Sequence, residues 1–269
     1  MKSILNKILV SGFATFLFIG NVMGQENEMK NFRFGLKVTP MINWMRPDVK
    51  GIEKNGSSLK FGYGLMLEFR LSKVIAFTTG IGGDYDGGKL SFKDSASYYV
   101  FEDAMITAKA AATKITANDT LKLAQYLLKS RTYTINYINI PITLKMKSGD
   151  IGGITYYGLF GGDIGIRTKA KANDETSSIK VPAGVSYDGK GVNITKDMGI
   201  LRLNLNVSAG IEYNLSGSTS LVAGLNYRRG FFSATKAESD YLIKGKSGSV
   251  PFKQSAPTDA IMLTVGVLF

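Results

Sequence analysis

The sequence predicts an all-β fold, an antiparallel transmembrane β-barrel of eight strands, from three observations. Leu59 to Leu71 alternates strictly: Leu59, Phe61, Tyr63, Leu65, Leu67, Phe69 and Leu71 share one face, and Lys60, Gly62, Gly64, Met66, Glu68 and Arg70 the other. Successive side chains of a strand point to opposite faces, so this is a strand with one apolar and one polar side. It is long for a soluble domain, and glycines beside Lys, Glu and Arg suit a polar lumen behind a lipid-facing wall. The second observation is the rhythm of the connections, which run long, short, long, short, long, short, long. The third is an export address at Met1 to Gly24. Lys2 and Lys7 precede an apolar core from Ile8 to Ile19, and Val22 and Gly24 are small enough for signal peptidase. That core is too short, and too interrupted by Ser11, Gly12 and Thr15, for a spanning helix of about 20 apolar residues. The expected division is therefore 1–24 as signal peptide and 25–269 as one barrel domain.

The strands follow in order. Strand one, Phe32 to Asn43, sets Phe32, Phe34, Leu36, Val38, Pro40 and Ile42 against Arg33, Gly35, Lys37, Thr39 and Asn43. Pro40 cannot donate to a ladder and a closed barrel has no edge, so a bulge is expected there. Leu59 to Leu71 is strand two. The link Ser72-Lys73 has hairpin spacing and leads to strand three from Val74. Tight turns of this kind belong on the periplasmic side and long loops outside. The longest connection, Asp86 to Ser130, holds helical patterning over Glu102 to Ile115. A second helical piece is expected after Asn118-Asp119-Thr120, a cap-like triplet followed by Leu121, Ala124, Leu127 and Leu128. A loop of this length is a lid or docking surface over the barrel mouth, or a surface decoration packed on its own apolar stripe.

Strand four, Arg131 to Met146, changes parity: Tyr133, Ile135 and Tyr137 are apolar at odd positions, Ile138, Ile140, Ile142 and Leu144 at even ones. A bulge, or a passage from loop end into the membrane band, would account for this. Strand five, Ile154 to Arg167, is so rich in glycine that its faces cannot be assigned. Strand six, Gly199 to Leu215, and strand seven, Thr219 to Phe231, alternate cleanly about the turn Ser216-Gly217-Ser218. Strand eight, Asp259 to Phe269, shows Ile261, Leu263, Val265, Val267 and Phe269 on one face. Phe61, Tyr63, Phe69, Tyr213 and Tyr227 are candidate interfacial anchors.

The segment Tyr137-Ile138-Asn139-Ile140-Pro141-Ile142-Thr143-Leu144-Lys145 resembles the Tyr-x-x-Ile-Pro-x-x-Leu-Lys strand of the small outer-membrane β-barrel family that includes the PorT-like proteins. The Leu-Ser-Lys hairpin at Leu71 to Lys73 shares the likeness. That family often carries Glu where Asn139 stands. The terminal aromatic Phe269 resembles the C-terminal signal read by barrel-assembly machinery. The resemblance implies a cell outer-membrane location in a Gram-negative envelope and, as one function, an accessory role in an outer-membrane secretion apparatus.

Composition narrows the chemistry. The chain has no cysteine and no histidine, which removes thiol catalysis, disulfides, the commonest general base and the commonest metal ligand. No spacing marks a catalytic, cofactor-binding or metal site, so no enzyme and no cofactor are expected. The net charge of +12 is dispersed among acids, which points to lipid and lipopolysaccharide phosphates rather than nucleic acid. The basic last loop, with Arg228, Arg229, Lys236, Lys244, Lys246 and Lys253, fits such a partner. Lumen-facing charges would be Lys60, Glu68, Arg70, Asp84, Arg202, Glu212 and Arg228. In a narrow lumen unpaired charges are costly, so a structural ion-pair network is favoured over a proton or ion pathway or a site for an anionic ligand. The expected function is a barrel that supports envelope integrity or offers its loops, chiefly Asp86 to Ser130, to a protein partner. Porin-like passage of small solutes ranks lower.

Overall fold

The computed structural model describes residues 31–93, 95–117, 122–183, 185–245 and 250–269. The expected signal peptide and the triplet Asn118-Asp119-Thr120 lie outside the described residues. Eight long strands carry the architecture: β1 (Phe32–Met45), β2 (Ser58–Arg70), β3 (Ile75–Asp86), β4 (Leu123–Lys147), β5 (Ile154–Lys180), β6 (Leu201–Ser216), β7 (Thr219–Gly230) and β8 (Thr258–Leu268). Each pairs antiparallel with the next, and β8 pairs with β1, so the hydrogen-bonded circuit returns to its start. Stepping across partners from Phe34 gives Leu67, Thr79, Ile142, Gly162, Leu205, Arg229, Asp259 and then Trp44. One tour thus climbs ten residues (44 − 34) along β1. A stagger of this kind tilts the strands by roughly 35–45° to the axis.

The sheet has fifteen strands, not the eight expected. The other seven are short and lie in the segments expected as long loops. Lys89–Phe92 and Ala96–Phe101 pair with the far end of β4, Glu238–Lys244 adds to Ala96–Phe101, and Val192–Asn193 pairs with β5. β4 starts at Leu123 rather than Arg131 and β5 runs to Lys180 rather than Arg167, making them 25 and 27 residues long. The one helix described in this loop, α1 (Ala108–Thr116), is capped by the Thr107 hydroxyl, which accepts from the Ala110 amide at 3.2 Å. The second expected helical piece is strand. Ala124, Tyr126, Leu127 and Leu128 are buried whichever face they occupy, and a short apolar run buried on both sides carries no periodicity to separate strand from helix.

The polarity of the interior reverses along the axis. Near the tight turns the outside is apolar: Phe34, Ile142 and Leu225 are 53%, 47% and 61% exposed, while Arg33, Glu68, Lys145 and Glu212 are buried inside. Near the loop end the inside is apolar. Met45, Leu90, Tyr98, Leu128, Tyr133, Ile135, Ala170, Ile194 and Leu242 belong to one buried cluster, and the outward positions include Lys169, Lys171 and Asn173. The loops therefore form a folded cap with a core like that of a soluble domain. Burying one such large apolar side chain contributes about 1.5–3 kcal/mol in water. This explains the parity change of β4 over residues 131–146, where odd residues face inward and only the polarity of the interior switches at Tyr137 and Ile138; upstream, an unpaired Lys129 swaps the faces and places Ala124, Tyr126 and Leu128 in the cap core. At this junction the bulge lies on the neighbour. Tyr137 pairs with Arg167 and Asn136 with Lys169, leaving Thr168 unpaired on β5. Odd residues such as Asp163 face inward before Thr168, and Ala170 and Ala172 after it.

Proline causes no bulge. Pro40 stays in register with Phe61, while the ladder from β1 to β8 omits Thr39 and Pro40 and resumes unshifted. Pro141 likewise interrupts the β3–β4 ladder without shifting it.

Candidate functional site

The interior below the cap is built in layers. Nearest the tight turns is a five-membered charge cluster. Arg33 of β1 donates to Glu68 of β2 at 2.7 Å and to Glu212 of β6 at 2.6 Å. Lys145 and Lys147 of β4 each bridge the same two carboxylates, with Lys145 3.0 Å from Glu68 and Lys147 3.0 Å from Glu212. All five residues sit on inward positions, and the tilt brings together strands on opposite sides of the ring. Tyr157 of β5 adjoins this cluster, with the Lys145 ammonium over its ring, 4.3 Å from the centroid. It lies flat because β6 and β7 present glycines there: a Cβ on Gly210 or Gly224 would come within 2.5 or 2.2 Å of the phenol.

Next is a chamber of about 120 Å³, lined among others by Lys37, Thr78, Asn139, Ser208 and Asn226. Above it a second cluster closes the lumen. Arg202 of β6 reaches Asp86 at 2.7 Å and Asp84 at 2.8 Å, both on β3, and Asp163 of β5 at 3.4 Å. Arg228 of β7 reaches Asp84 at 2.9 Å and Asp86 at 3.0 Å. Asn204 and Asn206 donate to Asp163, and Asn43 and Thr258 to Asp86. The Arg202 guanidinium lies 4.2 Å from the Tyr137 ring, which belongs to the cap core. Apolar packing therefore rests directly on the upper charge cluster.

Of the charges expected in the lumen, Glu68 and Glu212 meet in the lower cluster and Asp84, Arg202 and Arg228 in the upper one. Lys60 makes no ion pair among the described residues and donates to the Thr134 hydroxyl at 2.7 Å. Arg70 also makes none, and its Nη1 has no hydrogen-bond partner among them. Arg228, counted with the basic last loop, is a lumen residue, and Lys246 lies outside the described residues. Sequence reasoning left out Arg33, Lys37, Asp86, Lys145, Lys147 and Asp163. Parity marked Arg33 and Lys37 as inward, and Lys145 and Lys147 stand opposite the isoleucines of β4. Asp163 carried no such signal, because the faces of β5 were unreadable.

The cap holds polar groups of its own. Arg131 grips Asp174 through Nε at 2.6 Å and Nη2 at 2.7 Å, with both side chains fully buried. Burial raises the Asp197 carboxyl above its ordinary range, although the Ser239 hydroxyl and the Asp240 amide both donate to it. Burial also pushes the Tyr187 phenol up to about 12. Among the described residues no carboxylate group is arranged to hold a metal ion.

The decisive comparison is with family profiles: that of the outer membrane protein beta-barrel domain matches residues 23–236. The chain belongs to this family. Membership in the outer membrane protein beta-barrel domain family places the protein in the outer membrane and accounts for the exposed apolar wall. No curated protein matches the chain. Among solved structures, Neisserial surface protein A is 10% identical, with 89% of this chain and 96% of that one covered at a TM-score of 0.41. Ail, the attachment invasion locus protein of Yersinia pestis, is 12% identical, with 89% and 100% covered at 0.36. OprG from Pseudomonas aeruginosa is 10% identical, with 88% and 95% covered at 0.40. Likenesses this loose transfer no property to this barrel domain.

Proposed function

We propose that this protein is an eight-stranded transmembrane barrel that does not conduct, and that it serves as a membrane mount for a folded extracellular cap. The observation that carries this is the reversal of interior polarity between Ile138 and Tyr137. Residues 138–146 of β4 turn isoleucines and leucine outward, while Tyr133, Ile135 and Tyr137 bury theirs in the cap core. A wall of exposed Leu, Ile and Phe suits lipid, and a buried apolar core gains stability only in water. The cap is then the part that meets a partner or supports the envelope. Its outward lysines face the phosphates of lipopolysaccharide. No enzymatic role is proposed. A second reading, an accessory part of a secretion apparatus, is supported by the likeness of Tyr137–Lys145 to the PorT-like strand. It requires a stable protein partner.

The test is fractionation followed by gel migration of unheated and boiled protein, then affinity capture of the full chain from cross-linked cells. Outer-membrane protein that migrates faster unheated, and whose cap resists protease on intact cells, is the expected result. A soluble periplasmic protein with no heat-dependent shift would overturn the reading. A secretion component captured stoichiometrically would favour the second reading over a purely structural mount.

A further inference from the structure

The mid-lumen chamber contains a charge with no counterion in contact. The two clusters and the chamber between them hold six cations, Arg33, Lys37, Lys145, Lys147, Arg202 and Arg228, and five carboxylates, Glu68, Asp84, Asp86, Asp163 and Glu212. Every carboxylate is engaged by at least one of the other five cations. Lys37 has neither ion pair nor hydrogen bond to its ammonium among the described residues; it feels Asp84 and Asp163 only from a distance. Two further polar atoms on the chamber wall lack partners there, the Ser208 hydroxyl and Asn206 Oδ1. Burying an unpaired ammonium without acceptors is among the costliest arrangements a fold can contain. The chamber is polar, and at about 30 Å³ per water it has room for about four molecules.

We infer that the chamber is a binding site for a small monovalent inorganic anion of halide size, held by the Lys37 ammonium. Waters can supply acceptors to the ammonium, whereas an anion both accepts from it and balances its charge while Lys37 stays protonated. The Ser208 hydroxyl donates to the anion, and Asn206 Oδ1 accepts from a water beside it. With an ionic cluster above and another below, the anion is taken up as the barrel closes and is retained afterwards. The inference rests on the barrel reading and is independent of what the cap binds.

The test refolds the full chain from urea into detergent in sodium chloride, sodium bromide or sodium gluconate at equal ionic strength. Crystals of bromide-refolded protein should show an anomalous peak inside the chamber beside Lys37 Nζ. The temperature at which the unheated gel band is lost should be several degrees lower in gluconate, which is too bulky for the chamber. Lys37→Met removes the surplus charge with a side chain of similar size. It should fold in all three salts, with no peak and no salt dependence; Lys37→Gln is the second variant. Waters alone around Lys37 in bromide crystals, or equal midpoints in the three salts, would overturn the inference. Failure to obtain a heat-modifiable form in any salt would overturn the barrel reading and the anion site with it.

Discussion

Glu68 and Glu212 together hold three cations in a space that water scarcely enters, so neither is replaceable by a neutral side chain without leaving a buried charge exposed to its like. Glu68→Gln leaves Arg33, Lys145 and Lys147 sharing Glu212 alone. Breaking a buried network in this way typically costs about 3–5 kcal/mol. The variant should therefore lose its unheated gel band at lower urea than the wild type, whereas Lys60→Met, which breaks a hydroxyl contact and no contact ion pair among the described residues, should not. Asp197 acts in the cap with the opposite sense to most carboxylates. Its folded-state pKa is raised by burial, so its contribution to stability is present below the unfolded pKa and is lost as pH rises through the folded one. Amide protection factors in Thr195–Asp197 and Glu238–Lys244, corrected for base-catalysed intrinsic exchange, should be higher at pH 4 than at pH 8, and Asp197→Asn should flatten that difference. Glu175, whose pKa is lowered by hydrogen bonds from Lys89 and Ser130, opposes it weakly because its carboxylate is largely exposed.

At the scale of the element, β5 decides how the cap joins the barrel. A strand has a side-chain period of two, so one extra residue exchanges its faces. Thr168 is that residue, and its hydroxyl donates to the Asn136 carbonyl at the junction. Deleting Thr168 should turn Lys169 and Lys171 into the cap core and expel Ala170 and Ala172. The expected outcome is a cap cleaved by protease on intact cells, in a barrel that keeps its heat-dependent gel shift; a cap still resistant would show that the bulge does not set the register. β4 and β5 also show where sequence patterns lose information. Alternation identified β2, β6 and β8 because one neighbour was apolar and the other polar along their whole length. It faltered on β4, where the medium inside changes halfway, and on β5, where Gly158, Gly161, Gly162 and Gly165 leave no side chain to read.

For the whole molecule, the layers work in series. A lower charge cluster, a small chamber, an upper charge cluster and an apolar core all lie on one axis, within a ring whose interior eight strands leave just wide enough for side chains. Planar bilayers containing the purified protein should show no steady conductance in molar salt, and Glu68→Gln alone should not open one, because the upper cluster and the cap core remain closed. Sustained single-channel steps from the wild type would contradict the mount and favour solute passage.

The sequence by itself determined the eight long strands, their order and, β5 excepted, the side each would turn to lipid, because alternation is local and each strand carries its own record of the media on its two faces. It also marked most of the buried charges by parity. Which charges meet was decided only by the tertiary structure. Arg33 and Glu212 are 179 positions apart, and Arg202 finds Asp84 and Asp86 from the far side of the ring. Such contacts depend on the ten-residue stagger of the closed circuit, a property of all eight pairings at once. The cap was hidden for a related reason: its short strands bury both faces, and a segment surrounded by protein shows no contrast between an inside and an outside.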